Sequence, residues 1–220
     1  MTPQLADAVV FDMDGTLIDS LAVVCECYRM TVLEFDGPNL IPDQILSAFA
    51  IGPAALMLES LIGRAVGTEA IARYEERLKD QVGFVTVYDG VKETLSELAA
   101  RVPVGVFTAA DTSAAELLLE AVGLRSDVGP VIGADQTLRP KPAPDGLMDA
   151  CRMLGVATTN AAYVGDGPAD VFVARSCGAL AVAAGWGHQY DEDRDVDVTV
   201  AQPRDLLDLV ASRDSSGGRV

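Results

Sequence analysis

The chain has little with which to hold a soft metal or build a disulfide network. Its four cysteines, Cys25, Cys27, Cys151 and Cys177, form no C-x-x-C pair, and its one histidine, His188, stands apart from them in sequence. Zinc sites draw on clusters of these residues, so zinc is not expected. Reduced thiols on helices are expected instead of disulfides, as suits a reducing cytosol. Positive charge is also scarce: 16 Lys and Arg face 33 Asp and Glu, a formal net charge of −17. Such a field repels polyanions and anionic lipid surfaces, which argues against nucleic acid or a membrane as partner. No apolar run approaches the roughly 18 residues that a spanning helix needs. The first residues lack a basic stretch leading into an apolar one, and Asp12 and Asp14 interrupt the first apolar segment. That pattern is not a signal peptide, and a cytoplasmic location is expected.

What is present is the balance of a folded domain. Half of the 220 residues are hydrophobic and 22% are charged, enough to build a packed core. The length exceeds the usual single domain and falls short of two, so a core domain with a smaller insert fits it.

Short apolar runs, at Ala8 to Phe11, Val102 to Thr108, Val131-Ile132, Ala161 to Val164 and Ala179 to Ala184, read as buried parallel strands. Helical patterns alternate with them: Ser113 to Val122, Ala143 to Leu154 and Pro168 to Cys177, each followed by a glycine suited to a helix C-cap. The alternation implies an α/β, doubly wound parallel sheet. Pro203 to Ala211, with Leu206, Leu207 and Val210 at helical spacing, is expected to close the core. Between Asp19 and about Val85 the strand signals vanish, and Leu21 to Phe35, Gln44 to Phe49, Ala54 to Ile62 and Glu69 to Val82 follow helical spacing. The expected division is a core of residues 1–18 and 86–211, a helical insert at 19–85, and a disordered tail at 212–220.

Four segments carry candidate chemistry. Asp12-Met13-Asp14-Gly15-Thr16-Leu17 places two carboxylates two residues apart where a strand becomes a loop. One can attack phosphorus while the other donates and then removes a proton. A calcium loop of this spelling needs oxygen ligands further on, where Leu17 and Leu21 stand instead. Gly165-Asp166-Gly167-Pro168-Ala169-Asp170 also follows an apolar strand. Its two acids suit either a hard cation or ordinary helix N-terminal placement. In Arg139-Pro140-Lys141-Pro142-Ala143-Pro144-Asp145, three prolines stiffen the approach of one lysine, either to aim its ammonium or simply to shape a surface turn. Thr108 ends a strand and can donate to a phosphoryl oxygen, although threonine is also an ordinary strand residue.

Together, in this order and each at a strand end, these segments resemble the four motifs of the haloacid dehalogenase (HAD) superfamily, over roughly residues 8 to 210. The insert resembles the helical cap of the branch containing phosphoglycolate phosphatases, β-phosphoglucomutases and haloacid dehalogenases. The resemblance implies a Rossmann-like core with a small α-helical cap domain, and a Mg²⁺-dependent phosphatase of a small phosphorylated metabolite such as phosphoglycolate or a sugar phosphate. It makes Asp12 the nucleophile and Asp14 the general acid and base. Mg²⁺ would be held by Asp12, the backbone carbonyl of Asp14 and Asp166, with Asp170 supporting the metal shell or Lys141. Thr108 and the Ala109 N–H would bind the phosphoryl group, and Lys141 would neutralise it. Gly167 and Ala109-Ala110 depart from the small polar residues common in relatives, but neither removes a charge the chemistry needs.

Asp14 discriminates within the family, because the dehalogenases and phosphonatases lack a carboxylate there. A β-phosphoglucomutase-type phosphotransferase shares all four motifs and remains an alternative, as does a catalytically silent regulator, against which the intact carboxylates speak. In the insert, Arg29, Arg64, Arg73, Arg77 and Lys79 are either substrate contacts or solvated helix charges. Ile51-Gly52-Pro53 resembles the loop that related caps place over the site. Gly185-Trp186-Gly187-His188 resembles a turn that flanks the pocket in relatives, and His188 is given no catalytic role.

Overall fold

The computed structural model describes residues 5–211. The tail at 212–220, expected to be disordered, lies outside the described residues. Six strands form one parallel sheet: β1 (Ala8–Phe11), β4 (Val104–Phe107), β5 (Val131–Ile132), β6 (Ala161–Gly165), β7 (Leu180–Ala184) and β8 (Val198–Val200), in the order β5-β4-β1-β6-β7-β8. The chain builds outward from β1 to β5, then crosses back so that β6 lies on the other side of β1. This is the topological switch at which doubly wound sheets open a crevice beyond the strands' carboxyl ends.

All four residues of β1 are buried, which is why it reads as an unbroken apolar run instead of alternating. Its side chains still alternate between faces. Val9 and Phe11 join a core with Leu95, Leu98, Leu118 and Leu206, while Val10 joins one with Leu147, Cys151, Tyr163 and Val173. The first face is covered by α5 (Val91–Arg101) and α6 (Thr112–Ala121), the second by α7 (Asp145–Leu154) and α8 (Pro168–Ser176). Each fully buried leucine contributes about 1.5–3 kcal/mol. All four cysteines are free, and burial pushes the Cys25, Cys27 and Cys151 thiols up to about 11.

Four helices occupy the expected insert: α1 (Leu21–Glu34), α2 (Pro42–Ala48), α3 (Ala54–Ile62) and α4 (Thr68–Gln81). The chain leaves and re-enters the α/β part through an antiparallel ribbon of β2 (Ile18–Asp19) and β3 (Thr86–Val87), with Ile18 opposite Val87 and Asp19 opposite Thr86. No helix among the described residues is long and apolar enough to cross a membrane.

Three features differ from the sequence expectations. The ribbon and β8 were not foreseen as strands. The segment expected to be an α-helix from Pro203 is a 3-10 helix over Pro203–Leu209, with Pro203, Leu206, Leu207 and Leu209 buried. Leu206 and Leu209 are three residues apart and both face the core, the spacing of a three-residue turn.

Candidate active site

The candidate residues converge where β4, β1 and β6 end side by side. Phe11 is paired with Val106 on one side and Val164 on the other, and the Asp12 N–H continues the ladder to the Val164 carbonyl at 2.8 Å. The chain then folds around Met13, whose carbonyl accepts from the amides of Thr16, Leu17 and Ile18 at 3.2, 2.9 and 3.1 Å. Met13 is fully buried, which turns Asp12 and Asp14 outward on either side of it.

Lys141 reaches this point from the proline-rich segment. That segment is clipped by Arg139, which bonds Asp145 at 2.6 and 3.1 Å. The buried Lys141 ammonium donates to Asp12 Oδ1 at 2.6 Å and to Asp170 Oδ1 at 2.9 Å, and lies 5.2 and 5.3 Å from the Phe107 and Tyr163 ring centroids. Burial works against this charge, but Asp12 and Asp170 outweigh it and hold the Lys141 pKa above its usual value. The Asp12 carboxyl is pushed well up, chiefly by burial. Lys141 opposes that rise, while Asp170 and Asp166 add to it.

Asp170, on the first turn of α8, is fully engaged. Its Oδ1 also accepts from the Tyr163 hydroxyl at 3.2 Å, and its Oδ2 from the Gly167 N–H at 3.0 Å. Asp166 is different. Its Oδ2 accepts from the Gln189 N–H at 2.9 Å, but Oδ1 is buried with no hydrogen-bond partner. A buried orphan carboxylate oxygen is costly unless a cation meets it. Oxygens of Asp12, Asp166 and Asp170 all lie within 4.8 Å of one another, an all-oxygen set that fits a hard divalent cation such as Mg²⁺. Burial raises the Asp166 carboxyl too, as expected of an acid lacking a counter-ion. Two glycines make room for this carboxylate. A Cβ at Gly15, which sits at φ 81°, or at Gly187 would collide with Asp166.

The Asp14 side chain lies outside that acid cluster. Ser20 donates to its Oδ1, and Thr108 Oγ1 lies 3.5 Å from its Oδ2. Burial raises the Asp14 carboxyl, with the Ser20 bond the main opposing effect. Thr108 is held by its N–H to the Ile132 carbonyl at 3.0 Å, and its Oγ1 accepts the Ala110 N–H at 3.1 Å. His188 is exposed and its ring lies 3.0 Å from Asp19, a carboxylate outside the Asp12, Asp166 and Asp170 cluster. Trp186 donates to the Thr16 carbonyl at 2.9 Å, pinning the turn against the Asp12 loop.

The sequence did not single out Ser20, Tyr163 or Gln189. Ser20 has no local signal, because β2 brings it back beside Asp14. Tyr163 reads as a core strand residue. Gln189 was signalled only indirectly, by the paired glycines of the preceding turn, which mark a close backbone approach.

Asp12, Asp14, Thr108, Ala109, Lys141 and Asp170 line a cavity of about 320 Å³ that extends beneath α1–α4. The helical segment touches the α/β part around it. The Ala54 N–H donates to Asp111 Oδ1 at 3.1 Å, Ser113 reaches Glu75 at 3.3 Å, and a Cβ at Gly52 would lie 3.2 Å from Pro140 Cγ.

Comparison with known proteins agrees with this geometry. The family of haloacid dehalogenase-like hydrolases matches residues 6–178. A phosphoglycolate phosphatase of Chromobacterium violaceum is 32% identical over 92% of this chain and 96% of its own length. An N-acetylmuramic acid 6-phosphate phosphatase of Pseudomonas aeruginosa is 26% identical over 92% of this chain and 94% of its own. Among solved structures, CbbY from Rhodobacter sphaeroides in complex with phosphate superposes with a TM-score of 0.80 at 16% identity, covering 93% of this chain and 99% of that one, a likeness of fold alone. With most of its length matched in this way, the chain belongs to the haloacid dehalogenase-like hydrolases, as a phosphatase of the phosphoglycolate phosphatase-like branch.

Proposed function

We propose that the protein hydrolyses a small phosphate monoester through an aspartyl-phosphate on Asp12, with Mg²⁺ as cofactor. The observation that carries this reading is the buried Asp12–Lys141–Asp170 chain beside the partnerless Asp166 oxygen, at the floor of a cavity.

Lys141 holds Asp12 Oδ1, which fixes the carboxylate and leaves its second oxygen to attack phosphorus. The Asp12 O–P bond forms as the ester P–O bond breaks, and protonated Asp14 gives its proton to the leaving alkoxide. Ser20 holds Asp14 for that transfer, and burial favours the protonated form needed at this stage. In the second half, Asp14 removes a proton from water as the water oxygen attacks phosphorus. The Asp12 O–P bond breaks, releasing inorganic phosphate and restoring both acids. Thr108 and the Ala109 N–H bind phosphoryl oxygens, and Lys141 offsets their charge. Asp12, Asp166 and the Asp14 backbone carbonyl would hold Mg²⁺, with Asp170 behind them. When bound, the ion neutralises charge on the phosphoryl oxygens.

Residues 19–85 act as a cap over a core of residues 1–18 and 86–211. The contacts at Asp111, Ser113 and Pro140 are where the cap seats, excluding bulk water from the attack on phosphorus. Free, buried thiols suit a reducing cytoplasm. The phosphoglycolate and N-acetylmuramic acid 6-phosphate in the relatives' names are starting points for a substrate panel. The test is phosphate release from such monoesters with and without Mg²⁺, with Asp12→Asn as control. Metal-dependent release that the variant loses supports the reading. Silence across the panel transfers it to a phosphotransferase or a silent regulator.

A further inference from the structure

The cavity has two unlike walls. Its floor carries the acids and Lys141, while its roof, from the helical cap, presents Val24, Tyr28, Phe49, Met57, Tyr74 and Leu78. Lys141 is the only cationic side chain among the described residues lining it, and both its bonds go to Asp12 and Asp170. The cations of the cap are engaged elsewhere or exposed. Arg29 pairs with Glu26, Arg73 and Arg77 pair with Glu34, Arg64 donates to the Phe35 carbonyl, and Lys79 is exposed.

The one charged group on the remaining wall has the wrong sign for a second anion. Asp111 lines the cavity with its carboxyl on the Ala54 N–H. The roof's polar atoms are few. Tyr28 and Tyr74 stack with ring centroids 4.2 Å apart, and burial raises both phenols so that they stay neutral. The carboxylate of phosphoglycolate, or the second phosphate of a bisphosphate, would lose its water against hydrocarbon and meet no counter-charge. A sugar would leave most of its hydroxyls unpaired.

We propose that the substrate is the phosphate monoester of an uncharged, mainly apolar alcohol, with a ring or branched hydrocarbon seated under Tyr28, Phe49, Met57, Tyr74 and Leu78. This rests on the phosphatase reading above and narrows it to one class of leaving group. A cavity of about 320 Å³ has room for one such group beside the phosphate, and burying it supplies binding that an acidic or polyhydroxylated group does not.

The test is kcat/KM in Mg²⁺ for four probes: benzyl phosphate, phosphoglycolate, glucose 6-phosphate and acetyl phosphate, the last with a leaving group too small to need the roof. Benzyl phosphate is expected to exceed phosphoglycolate and glucose 6-phosphate by on the order of 10- to 100-fold. Phe49→Arg, at a partly exposed roof position, is expected to lower the benzyl-to-glycolate ratio about tenfold by supplying the missing cation. Phosphoglycolate or glucose 6-phosphate equalling benzyl phosphate, with acetyl phosphate hydrolysed, overturns the apolar leaving group and leaves the phosphatase standing. Failure to release phosphate from any probe, acetyl phosphate included, overturns both.

Discussion

Replacing Lys141 with methionine keeps the length of the side chain and removes the cation that bonds the Asp12 and Asp170 carboxylates. In the native site its ammonium sits 2.6 Å from Asp12 and 2.9 Å from Asp170, and all three side chains are buried. Breaking a buried pair by deleting one partner costs about 3–5 kcal/mol, because the other charge is left uncompensated. Proton uptake sets the ceiling: neutralising one ordinary aspartate at pH 7 costs about 4 kcal/mol, and Asp12 starts with its pKa already raised. The expected loss in metal-free protein is therefore about 3–4 kcal/mol, a fall in Tm on the order of 6–16 °C for a chain of this size. Denaturant unfolding followed by the single tryptophan, Trp186, reads it directly. Adding Mg²⁺ should restore part of the loss, since a divalent cation offsets the same carboxylates. A loss below about 1 kcal/mol would refute the idea that the acids depend on this lysine, placing the pair with weakly coupled surface bridges.

Three further outcomes follow from the same geometry. Asp14→Asn should slow both half-reactions and let phosphoenzyme accumulate, which rapid-quench measurement of bound phosphate would detect; unchanged kcat would remove Asp14 from proton transfer. Mg²⁺ at about a hundred times its Kd should stabilise the wild type by about 2.7 kcal/mol, and Asp166→Asn should lose most of that shift in thermal unfolding. Gly15→Ala forces a Cβ into the Asp166 carboxylate at φ 81°, and should lower stability by at least about 1–2 kcal/mol while weakening the Mg²⁺-induced shift; a silent substitution would mean that the loop does not press on Asp166.

The central strands were legible because burial on both faces leaves an unbroken apolar run, as at Ala8–Phe11 and Ala161–Gly165. The ribbon of Ile18–Asp19 with Thr86–Val87 was not, since two-residue strands have no periodicity and exist only because distant segments meet. Val198–Val200 is similar: three residues at the sheet edge that become a strand by pairing with β7. At the site, Asp12, Asp14, Lys141, Asp166 and Asp170 were legible from acids and a lysine placed at strand ends and loop constrictions. What the sequence did not show was how they group in space. Asp14 leans towards Ser20 and Thr108, while Asp12, Asp166 and Asp170 draw together. The apolar roof was hidden for a further reason: helical spacing reads Tyr28, Met57 and Tyr74 as core, and only the fold reveals that the same residues line a cavity.

The most direct test of the central claim is mass spectrometry of the protein quenched in acid shortly after mixing with acetyl phosphate and Mg²⁺. A phosphoryl group on the peptide containing Asp12, absent in Asp12→Asn and lost on longer incubation of the wild type, is the predicted result. Phosphate release without any phosphorylated intermediate, or release that persists in Asp12→Asn, would contradict it.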